Sequence, residues 1–364
     1  AGGADAVAGA RLGGARLGGA GAWGGGSAGR ARGARLDGAR ARWARLPSCG
    51  GVPMSGPRIA FVTCAEIGDV HEDDAPLAAA LEARGATVAP ATWSDPAVDW
   101  SRFDLLLLRS TWDYHEDVGA FRAWVARAGR AAPLFNPPGV VDWNVDKRYL
   151  RRLAAAGVPT VPTRWLPAGA AVDLAALLAA EGWTEAVVKP AVGLGASGLR
   201  RVGADEAGRR GPGSPQAHLD GLLAAGDVMV QPFVPSLERD GELSLVHAGR
   251  ALSHALRKRP PAGEFRVQPH FGAVATPATP TDAERAVAER ALAAVAGPLL
   301  YARVDLVAAP DGTPWLMELE LVEPTLYLDV DPAAADRFAH VVLDAAAAPS
   351  AAFPPRGGDG RPAG

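Results

Sequence analysis

The segment from residue 301 to residue 324 constrains the fold of this chain more than any other stretch. One apolar run carries Arg303 and Asp305, and after a polar turn a second apolar run carries Glu318 and Glu320. Because side chains alternate between the faces of a strand, the two charged residues of each run share one face. If the runs pair as antiparallel strands, three carboxylates and one arginine converge.

Three clustered carboxylates repel each other unless a cation lies among them. Magnesium binds carboxylates together with the phosphates of a substrate. The pattern therefore predicts a cation site on this pair of strands, and magnesium is the cation that suits it. The alternative is a solvated sheet face on which the same residues form ordinary ion pairs.

Two lysines favour a phosphate ligand at this site. Lys189 ends the apolar run at 186–190, and a buried cation there is costly unless an anion meets it. Lys147 lies early in an amphipathic stretch, 146–156, that is interpreted as a helix. The alternative for both is the usual position of a lysine, exposed on the surface.

The glycine-rich segment at 193–198 spells G-x-G-x-x-G. In a dinucleotide-binding motif a helix begins inside the glycines, but here residues 199–202 have the pattern of a short strand. We therefore interpret the segment as a hairpin whose backbone N–H groups, around Gly195, Ser197 and Gly198, close over phosphates. A plain mobile turn is the alternative.

The rest of the chain predicts an α/β fold. Apolar runs at 58–63, 87–90 and 104–109 with a helix at 76–84 indicate a small parallel sheet, and 137–139 is interpreted as a loop. Further strands are predicted in a second region and in a mostly antiparallel sheet, at 186–190, 199–202, 228–231, 243–248, 251–256, 301–307 and 315–319. A helix is predicted at 282–296.

The first 53 residues differ in composition from the rest. They repeat Ala-Arg-Leu-Gly-Gly, contain eight arginines against two aspartates, and lack a sustained hydrophobic period. The segment lacks the aromatic interleaving of a nucleic-acid-binding arm and the continuity of a transit peptide. We predict that it is upstream sequence foreign to the native protein, which then begins at Met54. Since the chain has no apolar run of about 18 residues, a cytoplasmic enzyme without a membrane span is expected.

In order along the chain, these features resemble the ATP-grasp superfamily over residues 130 to 330. The motifs at 109–112, 146–150, 157–159, 188–190, 240–242, 253–255 and 318–324 are similar to those of the cyclo-ligases that close the cycloserine ring from O-ureidoserine. This closer similarity runs from about residue 58 to 345. It implies an ATP-grasp fold with an N-terminal Rossmann-like subdomain, in which ATP lies between the second and third subdomains.

The resemblance also implies roles for individual residues. Lys147 and Lys189 match the phosphate-binding lysines of the family, and the adenine hinge matches Gln231, Phe233 and Val234. The ribose-binding acid matches Glu242, with Glu238 as the alternative. The metal ligands match Asp305, Glu318 and Glu320. Arg303 matches the arginine that steadies the transferring phosphoryl group. Most members of the superfamily have Asn in place of Glu320, so the number of magnesium ions stays open.

A second basic stretch is expected to hold the substrate. Residues 258–266 resemble a stretch that contacts the acid substrate in glutathione-synthetase-like ligases, which implies that role for Lys258 and Arg266. A bidentate pair between Arg266 and a carboxylate fits this role, and a salt bridge to a neighbour is the alternative. Arg109, at the end of a predicted parallel strand, is a further candidate for a substrate carboxylate.

These observations predict an ADP-forming ligase that requires ATP and Mg2+. It activates the carboxylate of a small amino-acid-like substrate as an acyl phosphate, which a nitrogen nucleophile displaces. The resemblance to the cyclo-ligases implies that this nitrogen belongs to the same molecule and that the product serves antibiotic biosynthesis. The alternatives are an intermolecular peptide or glutamate ligase and a nucleotide-binding protein without turnover. A homodimer is expected, without nucleic-acid or membrane partners. The predicted regions are the upstream segment 1–53, the N-terminal domain 54–143, the lid subdomain 144–235, the C-terminal subdomain 236–348 and a disordered tail 349–364.

Overall fold

The computed structural model describes residues 56–348. The expectations for the upstream segment 1–53, for a start at Met54 and for the tail 349–364 lie outside these residues. Within the described part, three sheets and the helices packed on them form a mixed α/β fold.

The first sheet is parallel and has four strands. Its strands are β1 (Arg58–Thr63), β2 (Thr87–Thr92), β3 (Leu105–Ser110) and β4 (Leu134–Phe135), in the order β2-β1-β3-β4. Every residue of β3 is buried, as expected for a central parallel strand covered on both faces. Two helices belong to this region, α1 (Ala75–Glu82) and α2 (Val118–Ala131). The predicted parallel sheet is confirmed.

The second sheet is antiparallel and carries the glycine-rich segment. Two helices precede it, α3 (Pro138–Asn144) and α4 (Tyr149–Ala155). The sheet and its helices comprise β5 (Arg164–Leu166), α5 (Leu174–Glu181), β6 (Glu185–Pro190), β7 (Arg200–Gly203), α6 (Pro215–Ala225) and β8 (Val228–Pro232), with strand order β5-β8-β6-β7. We call this sheet with α5 and α6 the lid.

The third sheet is antiparallel and has five strands. After α7 (Ser236–Arg239) it consists of β9 (Glu242–Ala248), β10 (Ala251–Arg259), β11 (Val274–Pro277), β12 (Tyr301–Ala308) and β13 (Pro314–Glu320), in the order β11-β10-β9-β12-β13. Helix α8 (Asp282–Ala293) begins with a capping box formed by Thr281 and Glu284. Helix α9 (Ala334–Ala347) packs on α1 of the first region.

The hydrophobic cores do not follow the three sheets one by one. One core joins the first and third sheets and includes Phe61, Leu107, Val246, Leu256 and Phe338. The lid has a core of its own, built only from residues between 166 and 230. The first and third sheets therefore share buried surface, whereas the lid is packed around separate side chains.

Two local expectations are wrong. Residues 137–139 were expected to form a loop, but α3 begins at Pro138, because proline is compatible with the first turn of a helix, where its missing N–H costs nothing. The helix expected at 146–156 begins only at Tyr149. Helices α5, α6 and α9 were not predicted. Over residues 56–348, no helix combines the length and hydropathy needed to cross a membrane.

Candidate active site

One large cleft, of about 730 Å³, is lined by residues of the second and third sheets and by loop residues that follow β1 and β3 of the first sheet. This volume falls within the usual range of ligand sites, roughly 300–1,000 Å³. The lining includes the side chains predicted for phosphate, nucleotide, metal and substrate, namely Lys147, Lys189, Gly195, Ser197, Gln231, Phe233, Val234, Glu242, Lys258, Arg266, Arg303, Asp305, Glu318 and Glu320. Gly198 follows directly in the glycine-rich turn without lining the cleft.

The charged residues of β12 and β13 lie opposite each other across the antiparallel pair. Arg303 is paired in register with Glu320, and Asp305 with Glu318. The Arg303 guanidinium donates to Asp305, at 3.0 Å from Nη2 to Oδ2, and also contacts Glu320. The convergence of three carboxylates and one arginine, predicted from the alternation alone, is confirmed.

Lys147 connects this acidic pair of strands to the glycine-rich turn. Its Nζ lies 3.0 Å from Oε1 of Glu318 and donates to the carbonyl oxygen of Gly193 at 2.6 Å. The ammonium group of Lys147 thus bridges Glu318 of β13 and Gly193 of the glycine-rich turn. From this position an ammonium group can contact an anion that enters between the lid and β13.

Lys189 lies near the same carboxylates without an ion pair. Within residues 56–348, no acceptor or carboxylate lies within hydrogen-bonding or ion-pairing distance of its ammonium group. Burial, opposed by the attraction of Glu318, lowers its pKa. Since this side chain lines the cleft, an anionic ligand would supply the partner that the protein does not.

Glu242 and Lys258 form a buried group with Asp305. Nζ of Lys258 lies 2.5 Å from Oε1 of Glu242 and 3.5 Å from Oδ2 of Asp305. The three side chains are between 3% and 8% exposed. The ammonium of Lys258 therefore neutralises two acids of the cleft, which was not foreseen from its predicted contact with the acid substrate.

The predicted adenine hinge follows the end of β8. Phe233 lines the cleft, its ring lies 5.8 Å from that of Phe265 in an edge-on contact, and the guanidinium of Arg201 lies 3.5 Å above it. Glu238, the alternative ribose acid, is paired with Arg201 at 2.6 Å and does not line the cleft. The position of Glu242 in the cleft favours the first choice.

The glycine-rich segment forms the hairpin turn that the sequence predicted. Strands β6 and β7 on either side of it pair antiparallel, so no helix begins inside the glycines. Gly195 and Gly198 have φ angles of +59° and +68°, and Ala196 shares this left-handed conformation at +65°. Of the N–H groups predicted to bind phosphate, that of Ser197 donates to the Leu194 carbonyl oxygen at 2.9 Å. The left-handed turn around Gly195 and Gly198 has a geometry that suits phosphate oxygens.

The two arginines proposed for the substrate have different surroundings. Arg266 lines the cleft, but it also pairs with Glu264 at 2.6 Å and lies 3.6 Å above the ring of Phe271, so the alternative of a neighbouring salt bridge holds. Arg109 is only 2% exposed and donates to Asp74 and to the carbonyl oxygen of Pro324. The expectation that Arg109 holds a substrate carboxylate is wrong, because protein groups already occupy its guanidinium.

The carboxylates of the predicted metal site are paired with cations of the protein. Across residues 56–348, no set of three or more Asp, Glu, His or Cys side chains is close enough together to hold a metal ion. Burial, opposed by Arg303 and reinforced by Asp305 and Glu318, raises the pKa of Glu320 to about 7. The carboxylate oxygens of Asp305, Glu318 and Glu320 are the donor type that Mg2+ prefers. In chemistry these residues fit the ion, which would have to displace existing ion pairs and draw the three carboxylates together.

Several positioning residues were not predicted. Asn144 donates to the carbonyl oxygen of Leu319 and accepts from the N–H of Leu321, both at 2.8 Å, and the Tyr149 hydroxyl accepts from the Leu319 N–H at 2.9 Å. These bonds fix the backbone around Glu318 and Glu320. The sequence signal was weak: Asn144 lies between Trp143 and Val145, in a stretch that also contains Asp142.

Comparison with known proteins gives consistent matches. Residues 59–136 match the family described as the N-terminal domain of the D-cycloserine synthetase DcsG. The cycloserine biosynthesis protein DcsG of Streptomyces lavendulae is 36% identical over 300 residues, which cover 79% of this chain and 98% of the relative. The crystal structure of the D-cycloserine synthetase DcsG superposes with a TM-score of 0.71 at 35% identity, covering 79% of this chain and 99% of that one.

More distant structures share the fold. A D-alanine–D-alanine ligase from Bacillus anthracis, complexed with ATP, has a TM-score of 0.56 at 17% identity and covers 80% of this chain and 97% of its own. The ATP-grasp ligase PsnB, complexed with a precursor variant, Mg and ADP, has a TM-score of 0.53 at 15% identity and covers 80% of this chain and 99% of its own. Neighbours of this fold thus bind ATP, ADP and magnesium in their structures.

Proposed function

This chain belongs to the DcsG family of ATP-grasp ligases, and on that basis we propose that it closes a ring in a small amino-acid-like substrate by forming a C–N bond. The enzyme is an ADP-forming ligase. The cleft is the main structural support for this activity. It brings Lys189, which has no ion-pair partner among residues 56–348, near Glu318 of β13 and leaves room for a nucleotide and a small acid.

When bound, ATP with magnesium supplies the γ-phosphoryl group that turns an unreactive carboxylate into an acyl phosphate. Asp305, Glu318 and Glu320 would hold the ion. Lys147 and Lys189 bind phosphate oxygens from the side of the lid, since both ammonium groups line the cleft. Arg303 neutralises charge that develops on the transferring group.

The lid protects the reaction from water. An acyl phosphate hydrolyses if water reaches it, so the glycine-rich turn must cover the phosphates during the reaction. Lys147 contacts this turn through the carbonyl oxygen of Gly193, which couples the position of the turn to the phosphate-binding lysine. Phe233 and Val234 offer an apolar edge for the adenine base, with the amide of Gln231 beside them.

An ADP-release assay tests this proposal. O-ureidoserine of each configuration, serine and other amino acids are offered with ATP and Mg2+, without a second amine. We expect ADP and a cyclic product from a ureido or hydroxylamine derivative alone. Lys189→Ala and Glu318→Gln should each lower ADP release by about 10- to 100-fold, because each removes a charged contact. Glu116→Gln, at an exposed position outside the cleft, serves as the control.

The second candidate is an intermolecular peptide or glutamate ligase. Arg266 favours it, because this residue lines the cleft and has a guanidinium suited to the carboxylate of an acid substrate. This candidate predicts ADP release only when an acid and a separate amine are both present. If Lys189→Ala left ADP formation intact, the proposed site would be wrong under either candidate. The homodimer and the cytoplasmic location stay predictions.

A further inference from the structure

The backbone that follows β13 is anchored by buried side chains from several parts of the fold. These are bonds from Asn136 to the Leu321 carbonyl, from the Tyr301 hydroxyl to the Val322 carbonyl, from Arg109 to the Pro324 carbonyl and from Arg303 to the Thr325 carbonyl, with lengths between 2.7 and 3.2 Å. A segment held at nearly every residue has little freedom to relax. The side chains that it carries are therefore preorganised.

Glu323 lies in the middle of this anchored segment and lines the cleft. It is 6% exposed, and Oε2 of its carboxyl group has no hydrogen-bond partner among residues 56–348. The other acids near it, such as Glu318 and Glu320, are paired with Lys147 or Arg303. A buried polar atom without a partner destabilises the fold, and in a native protein it calls for an explanation.

Glu323 shares the cleft with the predicted phosphate-binding residues and with Trp112, which lies in the loop after β3. Burial, reinforced by Glu320 and opposed by Lys147, raises the pKa of its carboxyl well above the usual range. On the other side, Nε1 of Trp112 lies 3.5 Å from the Glu323 carbonyl oxygen, and the Trp112 ring meets His71 edge-on at 4.6 Å. Arg303 and Glu323 line the same cleft, so a small substrate folded for ring closure, with its carboxyl group beside Arg303, would have its attacking nitrogen within reach of Glu323.

We propose that Glu323 binds the nitrogen end of the substrate by accepting a hydrogen bond from the N–H group of the attacking nitrogen. This role rests on the proposed function, since it concerns the nucleophile of the same reaction. The contact would give the unpartnered oxygen its missing donor. It would also hold the nitrogen against the activated carboxyl carbon, so that positioning accelerates the closing step.

The test uses Glu323→Gln and the nearly isosteric Glu323→Met in the full chain, with Glu116→Gln as the matched control. O-ureidoserine and ATP are supplied with and without free hydroxylamine, which captures an acyl phosphate as a hydroxamate. We expect cyclic product to fall by about 10-fold in Glu323→Gln and about 100-fold in Glu323→Met. Hydroxamate formation and the KM for ATP should stay within about twofold of the parent, since these depend on the phosphate-binding residues.

Thermal unfolding separates this role from a structural one. Because the carboxyl lacks a full set of partners, Glu323→Met should unfold at the same or a higher temperature than the parent while it loses product formation. Parental product formation in both variants would overturn the proposal. So would a parallel loss of Tm, hydroxamate and product. A parent chain that releases no ADP with any substrate overturns the proposed function, and the assignment of Glu323 falls with it.

Discussion

Replacing Lys258 with Met tests whether this lysine balances charge inside the fold or contacts the substrate. Its ammonium lies between two buried carboxylates, those of Glu242 and Asp305. Asp305 keeps Arg303 and the Ser244 hydroxyl as partners when Lys258 is lost. Glu242 keeps no ion-pair partner among the described residues, so the variant leaves one buried carboxylate without a cation.

The expected magnitude follows from these contacts. At an effective dielectric constant of about 20, two unit charges 3.5 Å apart attract each other by roughly 5 kcal/mol, and the pair with Glu242 is closer. Desolvation of the lysine offsets much of this attraction. Removing one partner of a buried pair typically costs about 3–5 kcal/mol, since the other charge stays buried. We expect Lys258→Met to lose free energy of unfolding in this range.

Urea unfolding without nucleotide measures the loss, with Lys189→Met as the matched comparison. Within residues 56–348 Lys189 has no ion pair, so its replacement should leave the free energy of unfolding unchanged or raise it, the opposite of Lys258→Met. A loss below about 1 kcal/mol for Lys258→Met would refute the reasoning. If stability were kept while the KM for the acid substrate rose about 10-fold, Lys258 would be a substrate contact, as the resemblance implied.

Three further predictions concern other parts of the fold. Burial lowers the pKa of His247 to about 4, so the unfolded chain binds a proton that the folded chain does not as pH falls below about 6.5. We expect this histidine to lower the free energy of unfolding by about 2 kcal/mol between pH 7 and 4.5. Urea unfolding of the parent and of His247→Phe should show that this loss is absent from the variant. Asn144→Ala should lower the free energy of unfolding by about 2–4 kcal/mol and slow ADP release, because two buried backbone groups at the end of β13, those of Leu319 and Leu321, lose their partner. Unchanged ADP release would show that β13 keeps its position without Asn144. Gly241→Ala should lower Tm far more than Gly263→Ala: both have φ of +81°, but only the Cβ at 241 would lie 2.3 Å from the Lys258 carbonyl oxygen, and equal shifts would contradict this.

The parts of the site that the sequence predicted depend on local regularities. Alternation along β12 and β13 was enough to place Arg303, Asp305, Glu318 and Glu320 on one surface, because strand geometry alone fixes which side chains share a face. The hairpin at the glycine-rich turn followed from the short strand predicted at 199–202, where a dinucleotide-binding motif would have a helix. Neither inference needed contacts between distant parts of the chain.

The parts that failed depend on distant partners. Arg109 ends a parallel strand, as many ligand-binding residues do, but Asp74 and the backbone of Pro324, 35 and 215 residues away, hold its guanidinium. The pairing of Lys258 with Glu242 and the unpartnered oxygen of Glu323 likewise follow from tertiary packing. The predicted region boundaries stay a prediction, although the three sheets fall within them.

The shared core of the first and third sheets sets a limit on how relatives could be recombined. A chimera that takes its first region from another enzyme must pack that region against core residues of a different parent, among them Val246, Leu256 and Phe338. Side chains from two parents are then rarely complementary in shape. The lid carries its own core and makes a far safer crossover. Exchanging the lid between relatives should thus disturb the fold little. Exchanging the first region would require the core residues of the third sheet to be redesigned with it.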